Sequence, residues 1–254
     1  MRFDDKAREW VNRMATRVSA ADLEKLSRSM LASIDQVSSS RWEAAVSRAA
    51  ALPGDVRPEK VKALTDAFAR ELGAFGAGVG AAAAAPVVGT AATMMAAAAE
   101  LAWFTGRAGD LVLTVAALHG RPAPTVDERR AWVLAVLIYG GSARDGFART
   151  VHEASTGLVA APSTRLPLST LQTVNRLLTP RLVRRYGARR GAIALGTALP
   201  VGIGALVGGS ANYVAVRSLA RHADAFFARM PYSAIDTTAI DVGGMLPGGS
   251  VDPE

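Results

Sequence analysis

Two long stretches of this chain carry no charge, and they limit what it can fold into more than any other feature. Leu72 to Ala99 is 28 residues without a charged side chain, and Gly191 to Val216 is a second such run of 26. Both are built mainly of alanine and glycine, and each is interrupted near its middle, by Pro86 and by Pro200. Either run is long enough to span a bilayer, but alanine and glycine are only weakly favourable in hydrocarbon, and proline breaks or kinks a helix. The expected form is therefore a pair of apolar helical hairpins, broken at Pro86 and Pro200, whose small faces permit close helix packing. The first break falls at Pro86 to Gly89, with a helix from about Thr90 to His119 after it.

The fold class expected from these patterns is all-α, a helical bundle. Half of the 254 residues are apolar yet only 6% are aromatic, and the excess is alanine rather than the β-branched residues that build sheets. Helix starts are signalled at Ser19 with Asp22, at Ser40 with Glu43 as a capping box, and at Thr125 with Glu128 for a helix over 126–139 stopped by Gly140-Gly141. Leu23, Leu26, Met30, Leu31 and Ile34 form one apolar helical face. Leu52-Pro53-Gly54-Asp55 reads as a turn, Pro58 as the first residue of the next helix, and residues 155–169 as either a loop or the internal boundary of the chain, with Ser169 and Gln172 starting another helix. Three segments follow: amphipathic helices over 1–52, a helical domain over 58–230, and a tail at 237–254 whose Gly, Asp and Pro predict disorder.

Chemistry is limited by inventory. With no cysteine there is no disulfide, thiolate metal site or cysteine nucleophile, which fits a reducing cytoplasm. The charged opening Met1-Arg2-Phe3-Asp4-Asp5-Lys6 lacks the apolar core of a secretory signal. His119, His152 and His222 are too scattered for a metal motif, and there is no nucleophile elbow or phosphate-binding glycine loop. No cofactor is expected, no catalytic residue can be named, and the expectation is a non-enzyme rather than an enzyme.

Charge points outward. The net charge is +7, and only four of the 29 basic residues are lysine. Such arginine richness reflects either genome composition or a polyanionic partner, and a lipid surface fits better than nucleic acid because no base-reading motif or aromatic platform accompanies it. Pro180 is read as opening a short helix with Arg181, Arg184, Arg185 and Arg189 on one side and Leu182, Val183 and Tyr186 on the other. An amphipathic cationic helix beside apolar hairpins supplies the two signals, charge and apolar area, that reversible attachment to an anionic membrane requires. Five more polar residues stand out. Glu100, Arg107 and Asp110 share one face of a helix, and Asn212 and Arg217 follow the second uncharged run. Each group either completes a buried polar network or binds a polar ligand or headgroup.

Several of these residues together resemble the EcsC protein family over roughly residues 70–230. The resemblance rests on Pro86-Val87-Val88-Gly89, on the polar helix through Glu100, Arg107 and Asp110 to His119-Gly120, and on Leu199-Pro200-Val201 with Ala211-Asn212-Tyr213 and Arg217 before His222. The family's polar helix ends in Tyr-Gly, where this chain has His119-Gly120. The family is bacterial and helical, and is named for a protein encoded beside a transporter. The resemblance implies a fold and a membrane-adjacent setting rather than a reaction. Taken with the cationic helix and the apolar hairpins, the leading expectation is a non-enzymatic accessory protein at the inner face of the cell membrane, whose partners are an anionic lipid surface and a membrane protein such as a transporter. The alternative is a soluble helical protein that encloses a lipid or other apolar ligand between its two hairpins.

Overall fold

The computed structural model describes residues 20–82, 90–122, 124–155, 165–194, 203–230 and 233–234. These form an all-α helical bundle: α1 (Ala20–Ser40), α2 (Trp42–Ala51), α3 (Arg57–Ala82), α4 (Thr90–Leu118), α5 (Val126–Tyr139), α6 (Ala143–Ser155), α7 (Leu168–Ala194) and α8 (Ile203–Ala228). The one extended pairing among the described residues is a two-residue parallel contact of Arg165–Leu166 with Ser233–Ala234.

At the centre of the bundle stands α5. Eight consecutive residues, Ala131 to Ile138, are buried, as are Leu111 to Ala116 of α4. A helix apolar on every side has to be surrounded, so the other helices wrap these two. The stretch Leu101–Leu118 of α4 is long and apolar enough to cross a membrane, but 61% of it is buried in the bundle. The expected face of α1 packs here: Met30 and Ile34 are buried and Leu26 and Leu31 lie against the core, which α1 and α2 share with the later helices.

Local signals placed several ends accurately. Thr125 Oγ1 accepts from the Glu128 amide at 3.2 Å, and α5 closes at Gly140, whose φ is +56°. The end of α4 is a Schellman turn, with the amides of Gly120 and Arg121 bonded to the carbonyls of Ala117 and Ala116 and Gly120 at φ +65°.

Other expectations need correction. Ser40 does not cap α2. It ends α1, where its hydroxyl donates back to the Gln36 carbonyl at 2.8 Å, the competing local bond open to serine in a helix. Pro58 is the second helical residue of α3, and α7 begins at Leu168 rather than Ser169. Pro180 opens nothing, because it lies inside the continuous α7. The reason is tertiary: Leu171, Val174, Leu178 and Leu182 are all buried, so one apolar stripe runs past the proline, and its burial outweighs the lost amide bond.

The helices that carry the two uncharged runs pack against one another. Among the described residues the most extensive helix contact joins α3 to α8, and α4 lies mainly on α1. Arg217 of α8 meets Asp66 of α3 at 2.9 Å. Arg57, at the start of α3, and Asp224, near the end of α8, both act on the His119 ring. The two helices therefore run antiparallel, so α3 ends and α8 begins at the same end of the pair. Pro86, Pro200 and the tail at 237–254 lie outside the described residues.

Candidate functional site

The polar helix α4 puts Arg107 and Asp110 one turn apart, and the bundle encloses them. Asp110 is 1% exposed. Arg107 Nη1 donates to Asp110 Oδ2 at 2.7 Å and Nη2 to Glu71 Oε2 of α3 at 2.5 Å. The Arg107 guanidinium lies 4.6 Å from the centre of the Phe68 ring, with Arg48 of α2 at 5.5 Å from the same centre. Arg48 in turn donates to Thr114 Oγ1 at 3.1 Å, and Thr114 donates to the Asp110 carbonyl at 2.7 Å.

Burial works against both guanidinium charges. For Arg107 the hydrogen bond to Glu71 and the two carboxylates outweigh that penalty and hold its proton more tightly than usual. For Arg48 burial dominates, helped by repulsion from Arg107 and Arg41, and its affinity for the proton falls. No spacing or motif marks Arg48 for this network, and the only signal at Glu71 is that it directly precedes the first uncharged run. The Glu100 side chain lies outside the described residues. Above Asp110 a cleft of about 410 Å³ opens between α1 and α4, bordered by Ser33, Gln36, Arg41, Trp103 and Arg107.

The arginines of α7 separate. Arg181 is turned into the structure: its guanidinium donates to Tyr139 Oη and Thr150 Oγ1, both at 2.9 Å, and to Glu153 Oε2 at 2.6 Å. The Tyr139 ring lies so close to Gly146 that a Cβ there would come within 2.3 Å of it. Arg181 thus joins α7 to α5 and α6. Arg184 and Arg185 are exposed, as is Arg221 of α8, and none of the three meets a carboxylate among the described residues. Burial first, and then the charges of Arg221 and Arg185, push His222 of α8 below its ordinary pKa. The Arg189 and Asn212 side chains lie outside the described residues. Arg217 is half exposed, paired with Asp66 and set 4.8 Å from the centre of the Tyr213 ring, so it links α8 to α3.

His119 Nε2 lies 2.8 Å from Asp224 Oδ1, with the His119 side chain 4% exposed. Burial lowers its pKa below the ordinary 6.5 and outweighs the hydrogen bond to Asp224, while Arg57 and Arg121 add to the lowering. The fold therefore favours the neutral ring. The unfolded chain binds more protons below pH 6.5, so the stabilisation is complete above that pH and is lost as pH falls toward the depressed folded value. Melting curves are expected to show Tm falling as the pH is lowered from neutral through this window, and the fall should be smaller in His119→Gln.

Among the described residues no group of three His, Cys, Asp or Glu side chains is placed to hold a metal ion. The chain matches no protein-family model, no curated protein and no solved structure.

Proposed function

We propose that this protein is a non-enzymatic, peripherally membrane-associated helical protein that binds an anionic lipid surface through Arg184, Arg185 and Arg221. The observation that carries this reading is the contrast among its arginines. Arg107, Arg130, Arg181 and Arg217 each meet a carboxylate, whereas Arg184, Arg185 and Arg221 are exposed and meet none among the described residues. Exposed cations without counter-charge favour a polyanion, at about 1 kcal/mol per arginine near an anionic leaflet. Three of them correspond to roughly a hundredfold in membrane partitioning.

The EcsC-like motifs support a bacterial setting at the inner membrane face beside a transporter, and the same reading places helix breaks at Pro86 and Pro200.

Flotation with vesicles tests the reading. The protein is expected to float with vesicles containing phosphatidylglycerol at low salt, to stay behind with pure phosphatidylcholine, and to be released as salt screens the charges. Flotation with both lipids that resists salt would replace surface binding with insertion of the apolar runs. No flotation at low salt would refute membrane binding.

A further inference from the structure

The cleft between α1 and α4 is a second feature, independent of the arginine surface. Its volume of about 410 Å³ lies within the range of roughly 300–1,000 Å³ of small-molecule sites. Below it the two helices pack through small residues. A Cβ on Gly106 would lie 2.8 Å from Ser33 Oγ, and one on Gly109 would lie 2.9 Å from a Val37 methyl. Ser33 also donates to the Ala102 carbonyl at 2.6 Å. One side of the cleft is thereby held rigidly.

Its floor is not satisfied. Asp110 Oδ2 is bonded to Arg107, but Asp110 Oδ1 and Arg107 Nε are buried with no hydrogen-bond partner. An orphaned carboxylate oxygen on a side chain this enclosed is costly, and such groups call for a missing partner. The charges around it narrow the choice. Arg41, Arg48 and Arg107 outnumber Asp110 and Glu71 by one, which disfavours a cationic ligand. The free acceptor on Asp110 disfavours an anion without a donor.

We propose that this cleft binds a small uncharged molecule carrying an amide or lactam edge. Its N–H donates to Asp110 Oδ1 and its C=O accepts from Arg107 Nε–H, while Trp103 flanks the planar group. Neither floor atom has open surface, so the Arg107 side chain, 21% exposed, shifts to admit the ligand.

The test is an NMR titration of the full chain with 2-pyrrolidinone, compared with N-methyl-2-pyrrolidinone, which keeps the carbonyl but lacks the donor. Saturable shifts at the Trp103 indole and Gly106 amide are expected with the first compound and roughly tenfold weaker binding with the second, because the acceptor then stays unpaired. Ala32 is exposed at the mouth of the cleft and away from the network. Ala32→Phe should abolish the shifts while leaving the melting curve unchanged. Equal response to both lactams, shifts that persist in Ala32→Phe, or no saturable shift would each overturn the proposal. All of these readouts are independent of membrane binding.

Discussion

Replacing Asp110 with alanine is expected to destabilise the protein by about 3–5 kcal/mol, the usual cost of removing one member of a buried ion pair. Asp110 is the more enclosed of the two carboxylates that compensate Arg107, and its charge also favours the Arg48 cation, which Arg107 repels. Without it two guanidinium groups share one aromatic ring beside a single, half-exposed acid. Urea unfolding should show a large drop in midpoint with little change in slope. Asp110→Asn, which keeps an acceptor for Arg107 Nη1, should lose less. The double change Asp110→Leu with Arg107→Met should recover much of the loss, since apolar replacement of a whole buried pair is often tolerated. A loss below about 1 kcal/mol in Asp110→Ala would match a solvated surface pair and contradict the enclosed network.

Trp132→Ala should produce a loss of similar size. Trp132 is 1% exposed on α5, edge-on to Trp42 at 6.5 Å and to Phe227 at 5.2 Å. Phe227 contacts Phe226 at 4.9 Å, and Phe226 contacts Phe147 at 5.8 Å. This aromatic chain ties α2, α5, α8 and α6 together in a sequence otherwise poor in large rings. Truncation leaves a cavity among groups that cannot close over it, costing about 3–5 kcal/mol. For a chain of this size that is a fall in Tm on the order of 10 °C. Trp132→Phe should retain most of the stability, and near-ultraviolet circular dichroism should weaken in the alanine variant while the helical signal persists. Unchanged melting would show that these rings are not a structural hub.

The legible parts of the fold were those fixed by local chemistry. A threonine three residues before a glutamate, a glycine with positive φ and an apolar period each act within a few residues, so the limits of α5 and the end of α4 could be read directly. What depended on distant partners was not legible. The hydroxyl of Ser40 had a cap and a back-bond to choose between, and took the latter. Pro180 signals a helix start only until Leu178 and Leu182 are seen to be buried on both sides of it. Arg181 looks like its neighbours on a helical projection, and only the arrival of Glu153 and Tyr139 from α6 and α5 turns it inward. Likewise, Arg107 and Asp110 could be placed on one face, but Glu71 and Arg48 join them through helix packing that no spacing rule contains.

The most direct measurement of the proposed membrane surface is flotation with phosphatidylglycerol vesicles at low salt, comparing the intact protein with two charge-reversed variants of equal net charge. Arg184→Glu with Arg185→Glu alters the proposed surface, and Lys25→Glu with Arg28→Glu alters α1. Loss of flotation in the first variant and its retention in the second is the predicted result. Equal loss in both would show that only net charge matters, and retention in both would show that the arginines of α7 do not form the membrane-binding surface.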